Sequence, residues 1–390
     1  MNENVLGLGQ SPTLLIGDRV RALEAAGKNV VKLQTGDPDF DTPEPIVEAA
    51  NRALRTGNTH YSNTRGLPSL REALADKLSR SNGINCDPAT DVLITHGGVH
   101  AVYSTLNTLL KPGDEVLIPD PFWTPYASAT TLAGGIPVQI KSHASDGFKV
   151  QPEAVAELIN ERTRVLLINT PANPSGAVLS RSDLEALARI AIDAGLWVVA
   201  DEVYERLVYD DNEHVSIATL PGMAERTITV NSFSKTFAMT GWRLGYLCAP
   251  AHVAEEILKV TQYTVTNVSP FIQEAGLAAL TDDRVADAVD EMVSSYSRRA
   301  HRIRENLSAI PGINFVDPGG AFYFLIDPSE LGLSGDDFTS QLLDDYAVAL
   351  VPGSGFGNSA SDHARMTFAA PDAGLDEGMQ RIARFAESVR

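Results

Sequence analysis

Over the middle of this chain, apolar runs of strand length alternate with stretches of helical period, and few architectures accommodate both. The strand candidates are Val92–Thr95, Glu115–Pro119, Pro137–Ile140, Arg164–Asn169, Leu196–Ala200, Thr227–Val230 and Gly245–Ala249. Between several of them lie amphipathic patterns, such as Ser182–Ala194 with Leu184, Leu187, Ala188 and Ile190 on one face. A continuously apolar strand needs cover on both faces, and intervening helices supply it. The pattern predicts an α/β fold with a mainly parallel sheet flanked by helices.

The last hundred residues follow another rhythm. A long helix through Tyr296–Ile310 leads to strand-like Ala321–Ile326, a further helix, then strand-like Ala347–Val351 and Ala364–Phe368, with a final helix from about Leu375. This predicts a smaller α+β domain at 291–390 beside a large domain at 46–290. Residues 1–45, with Pro12, Pro38, Pro43 and Pro45, read as an arm that also joins the small domain. A length of 390 residues with 44% hydrophobic content suits two domains.

Charge narrows the function classes. Against 50 Asp and Glu stand 31 Lys and Arg, a formal net of −19, which disfavours nucleic-acid binding because phosphate backbones need clustered cations. Cys86 and Cys248 are the only cysteines and form no CxxC pair, so no disulfide framework is expected. The start lacks a basic segment followed by an apolar core, and no apolar run reaches the ~18 residues of a membrane span. These features predict a cytoplasmic protein.

Five stretches carry groups suited to chemistry. NSFSKTFAMTGWRLG follows a strand candidate and sets Lys235 among Ser232, Ser234 and Arg243. An enclosed lysine amine attacks aldehydes, and a guanidinium binds phosphate; a solvated lysine beside a structural arginine reads equally well from this stretch alone. LITHGGVHAV is a strand, two glycines and a helix start, which offers backbone N–H groups to an anion or serves packing only. His96 and His100 within it have i, i+4 spacing but no third ligand nearby, so no metal is expected. PFWTPY puts Trp123 at a strand end, NTPANPSG is a turn after another, and LWVVADEVY ends a strand on Asp201. Ligands of such sheets bind beyond these carboxyl ends.

The order SFSKTFAMTGWRLG resembles, position for position, the lysine signature of the class I and II aminotransferases, and the resemblance extends from about Ser11 to the last helix. GDPDFDTP, AMTGWRLGY and GAFYF are most similar to the bacterial aspartate-aminotransferase-like branch. The resemblance implies a fold-type I enzyme with pyridoxal 5'-phosphate as cofactor. It makes Lys235 the Schiff-base lysine and proton carrier, and Asp201 the partner of the pyridine nitrogen. Gly98, Val99, Ser232 and Arg243 would hold the phosphate, Trp123 would stack on the ring, and Asn173 and Tyr204 would reach the phenolic oxygen. Arg365 would take the substrate α-carboxylate, with Gly36 and Asn173 beside it. Tyr61 would reach the neighbouring subunit's phosphate, which implies a homodimer. In NTPANPSG, Ala172 and Ser175 depart from the family's usual asparagine and threonine.

The expected reaction is ping-pong transfer of an amino group between an amino acid and a 2-oxo acid. The same residue set also suits β- or γ-elimination, replacement or carbon–carbon bond formation, since a fold hosts many functions. A DNA-binding regulator is disfavoured by the acidic charge, and a nicotinamide dehydrogenase by the lack of GxGxxG after a strand. No motif clearly nominates a second cation for an acidic substrate side chain; Arg65 reads as a side-chain reader or, more readily, as a structural loop arginine, and Val99 stands where some relatives carry lysine.

Overall fold

The computed structural model describes residues 3–390. Its central sheet has strands β1 (Val92–Thr95), β2 (Glu115–Asp120), β3 (Ile136–Lys141), β4 (Thr163–Asn169), β5 (Trp197–Asp201), β6 (Thr227–Ser232) and β7 (Gly245–Cys248). Their order is β1-β7-β6-β5-β4-β2-β3, and β7 alone runs against its neighbours. All seven sequence-based strands are present; Val92–Thr95 agrees at both ends, and the others differ by at most two residues at an end.

Successive residues of each central strand face opposite sides, as the pleat requires. Val116, Ile118, Val165 and Leu167 pack with Ala101, Val102 and Leu106 of helix Gly97–Leu109. Leu117, Leu166 and Ile168 pack with Leu184 and Leu187 of helix Arg181–Asp193 on the other face. That helix starts at a capping box: Asp183 N–H donates to Ser180 Oγ at 3.2 Å, and Ser180 N–H to Asp183 Oδ2 at 2.8 Å. Its buried stripe is Leu184, Leu187, Ala188 and Ala191, while Ile190 is only half-buried. Ala191, seven residues after Leu184, returns to the same face, whereas Ile190 falls about 100° short of it.

The C-terminal part builds an antiparallel sheet of β8 (Asn314–Val316), β9 (Tyr323–Asp327), β10 (Val351–Pro352) and β11 (Ala364–Thr367), in the order β10-β11-β9-β8. The single strand expected at Ala347–Val351 divides. Val348–Ala349 pairs in parallel with Val31–Lys32, and Val351–Pro352 turns to β11. Through that pairing, and through Ile16 and Val20 of helix Pro12–Ala25 packed on Leu343 and Ala349, the N-terminal segment attaches to the C-terminal part.

Helix Asp283–Ser308 runs unbroken for 26 residues, straight through position 290. Its core neighbours change along its length. Val285 and Val289 pack with Leu70 and Leu74, whereas Met292, Tyr296, Ala300 and Ile303 pack with Phe322, Phe324 and Phe368. Cys86 and Cys248 are free thiols in one apolar cluster. Among the described residues no helix is long and apolar enough to cross a membrane.

Candidate active site

The parallel strands β4, β5 and β6 end on Asn169, Asp201 and Ser232, and Asn169 is in register with Asp201. Beyond these ends lies a cleft of about 440 Å³. Every sequence-predicted site residue except Tyr61 lines it: Gly36, Gly98, Val99, Trp123, Asn173, Asp201, Tyr204, Ser232, Lys235, Arg243 and Arg365. Tyr61 is 88% exposed and lies outside the lining of its own chain's cleft.

Lys235 belongs to the short helical turn Phe233–Thr236 that follows β6, capped by Ser232. Its Nζ donates to the Gly36 carbonyl and lies 5.6 Å from the centre of the Phe322 ring. Burial lowers its ammonium to about 8, with Arg365 and Arg243 adding to the effect and Asp37 opposing it. An amine so placed is neutral in an appreciable fraction at physiological pH, the form that acts as nucleophile and base.

One end of the cleft is built for an anion. Gly98 and Val99 occupy the first turn of helix Gly97–Leu109, where backbone N–H groups have no helical acceptor. Opposite them, Ser232 Oγ donates to Ser234 Oγ at 2.8 Å, and Arg243 takes a left-handed backbone with φ 54°. Gly97 is itself left-handed at φ 77°, and a Cβ there would come within 2.6 Å of Arg243 Nη2. The glycine is therefore required both by its own conformation and by the close approach of the guanidinium. His96 and His100 direct ring nitrogens to Asn267 O and Thr264 Oγ1.

The middle of the cleft carries a buried acid. Asp201 Oδ2 accepts from the Tyr126 hydroxyl at 2.7 Å, and Oδ1 from Val203 N–H at 3.2 Å. Burial raises its pKa to about 6; the two hydrogen bonds hold it from rising further, and Glu202 adds to the rise. Trp123, edge-on to Tyr126 at 5.3 Å, presents its indole to the same space. On the far side the Tyr204 and Tyr323 hydroxyls are 2.9 Å apart, and a Cβ on Gly36 would strike Tyr323 Oη.

At the other end, Arg365 of β11 is held between two rings, 4.5 Å from the centre of Tyr323 and 4.6 Å from that of Phe356. It is 3% exposed. Its Nη1 donates to Asn173 Oδ1 at 3.0 Å and Nη2 to Gln34 O at 2.7 Å, while Nε has no partner. Asn173 is fixed in turn, its N–H donating to Asn169 Oδ1 at 2.9 Å. A buried guanidinium with donors left over is a receptor for a planar anion.

Sequence reasoning missed Gly97, Tyr126, Asn169 and Tyr323 as working parts. Asn169 opens the NTPANPSG turn, Tyr126 ends PFWTPY and Tyr323 lies in GAFYF. Their partners are remote in sequence, 75 residues away for Tyr126 and 119 for Tyr323. Nothing local marks Tyr126 or Tyr323, whereas Gly97 falls in the glycine pair that opens helix Gly97–Leu109.

The aminotransferase class I and II family model matches residues 28–382. An aspartate aminotransferase of Pyrococcus abyssi (strain GE5 / Orsay) is 44% identical over 92% of each chain. An aromatic-amino-acid aminotransferase 2 of Thermococcus litoralis is 43% identical, also over 92% of each. Among solved structures, the Thermus thermophilus aspartate aminotransferase with maleate superposes with a TM-score of 0.94 at 38% identity, covering 98% of this chain and 99% of that one. Fold and cleft together define a fold-type I enzyme of amine chemistry. The chain belongs to the class I and II aminotransferases.

Proposed function

We propose that this aminotransferase uses pyridoxal 5'-phosphate, anchored at Lys235, to move an amino group between an amino acid and a 2-oxo acid in two half-reactions at one cleft. The observation that carries this reading is the meeting of Lys235, Asp201 and Arg365 in a single cavity. The donor set fits the cofactor. Gly98 and Val99 N–H, the Ser232 hydroxyl and Arg243 suit a phosphate dianion, the Gly97–Arg243 approach closing that cradle. Trp123 offers a flat face, Asp201 a carboxylate for the ring nitrogen, and Asn173 and Tyr204 polar groups for the phenolic oxygen.

When bound, the cofactor supplies an electron sink for charge developing at the substrate α-carbon. The chain's residues do the rest. Arg365 grips the α-carboxylate and so fixes the direction of the Cα–H bond. Lys235 Nζ, near pKa 8, takes that proton and returns it. Asp201 stays ionised at neutral pH beside a cationic ring, and Gly36 allows the substrate loop to approach Tyr323.

The exposed position of Tyr61, outside its own cleft, supports a homodimer in which it reaches the partner subunit's phosphate site. The change of core neighbours along helix Asp283–Ser308 supports a large cofactor domain at 46–290 and a small domain at 291–390, joined by part of residues 1–45. Two free thiols are compatible with a cytoplasmic location. Mixing the cofactor-loaded protein with one amino acid and no acceptor tests the reaction. A stoichiometric 2-oxo acid with conversion of the cofactor to its amine form is expected; ammonia release in its place would refute transamination.

A further inference from the structure

The cations lining the cleft are Lys235, Arg243 and Arg365. Each has work in the reading above: Lys235 rests on Gly36 O, Arg243 closes over Gly97, and Arg365 is clamped by Asn173 and Gln34 O. Among the described lining residues no further cation remains to meet a second substrate carboxylate. The other charged residues there are the acids Asp37 and Asp201, which oppose one.

The same cleft exposes apolar surface. Leu14 is 66% and Val99 41% exposed, both among the large hydrophobic side chains left open to solvent, and both line the cavity. Leu14 is well placed to touch substrate. It lies in the first turn of helix Pro12–Ala25, whose Pro12 packs so tightly on Gly355 that a Cβ there would come within 2.5 Å of the proline ring. The next residue, Phe356, stacks on Arg365. Through this chain of contacts Leu14 is tied to the end of the cleft that holds the group assigned to the α-carboxylate, while Val99 adds apolar lining from the phosphate end. Ser11 and Thr13 add polar but uncharged lining.

Resting on the aminotransferase reading, we infer that the side-chain subsite takes large uncharged apolar or aromatic side chains, and that acidic amino acids are poor donors. Covering Leu14 and Val99 removes apolar area from water, whereas a second carboxylate would lose hydration with no cation of this chain's lining to meet it. A single methylene changes discrimination by about 10–200-fold, so a full apolar side chain against a carboxylate should reach at least about tenfold.

The test is the rate of cofactor conversion in the pyridoxal-phosphate-loaded protein, measured without acceptor for L-phenylalanine, L-leucine, L-alanine, L-aspartate and L-glutamate. Phenylalanine and leucine should exceed both acidic donors by at least about tenfold in rate over half-saturating concentration. Leu14→Arg should move the phenylalanine-to-aspartate ratio toward aspartate by a similar factor, and Leu14→Ala should cost phenylalanine more than alanine. Aspartate or glutamate as the best donor of the unmodified protein would overturn the inference and leave the aminotransferase reading standing. A loaded protein that no donor converts would overturn both.

Discussion

The phenol of Tyr126 donates to Asp201 Oδ2 across 2.7 Å, tying helix Pro125–Leu132 to the end of β5. This bond is one of two that stabilise the carboxylate against a burial that raises its pKa to about 6. A cationic ring bound against Asp201 favours the ionised acid. Cofactor affinity should therefore be full well above pH 6 and decline as pH falls through about 6. Tyr126→Phe removes a bond to the charged form, so this decline should move to higher pH. Titrating cofactor binding by fluorescence at several pH values checks both. Asp201→Asn should lower turnover by about 10²–10³-fold, the scale of losing one preorganised electrostatic partner.

The amine of Lys235 gives a second prediction. Only the neutral form attacks an aldehyde, and its pKa lies at about 8. Uptake of pyridoxal phosphate by cofactor-free protein should accelerate about tenfold per pH unit below that value and level off above it. Stopped-flow absorbance measures this directly. A plateau first reached above pH 10 would mean a solvated lysine.

Gly97 and Arg243 predict a specific lesion. Gly97→Ala places a methyl group 2.6 Å from Arg243 Nη2 at a φ of 77°. The guanidinium must swing away, losing charge-assisted bonds to phosphate of about 1.5–3 kcal/mol, or roughly 10–150-fold in cofactor affinity. Equilibrium dialysis against pyridoxal phosphate should show the loss, and the left-handed backbone should also cost the cofactor-free protein about 1–2 kcal/mol of stability.

Four residues past the end of β5, Glu205 pairs with Lys77, and Asn82 Nδ2 donates to Glu205 Oε2 at 2.6 Å. Burial would raise the Glu205 carboxyl, but Lys77 and Asn82 prevail and hold it below its ordinary value of 4.5. The pair thus stabilises the fold at neutral pH, and that contribution is lost on acidification below the ordinary glutamate range. Lys77→Met leaves a buried carboxylate without its cation and should cost about 3–5 kcal/mol. A melting temperature lowered by several degrees, with the deficit shrinking in acid, is the expected result.

The fold was largely legible in the sequence because the central strands are continuously apolar and their helices periodic; Val165–Ile168 and the Leu184–Ala191 stripe announce themselves. The divided strand at 348–352 was not, since a continuous run of β-forming residues does not record a change of partner. Lys235, Asp201, Asn173 and Arg365 were legible through motif order, as each falls at a strand end or in a strand with characteristic neighbours. Tyr126 and Tyr323 were not, because a hydrogen bond between residues far apart in the chain leaves no local pattern. Nor could spacing indicate that Arg365 stacks between Tyr323 and Phe356, or that Leu14 from the N-terminal helix lines the same cleft as Val99.

The most direct test of the central claim is to load the protein with pyridoxal phosphate, reduce it with borohydride, digest it and map the modified peptide by mass spectrometry. The account predicts a phosphopyridoxyl group on Lys235, abolished in Lys235→Ala. A stoichiometric tag on another lysine, or full turnover by Lys235→Ala, would contradict it.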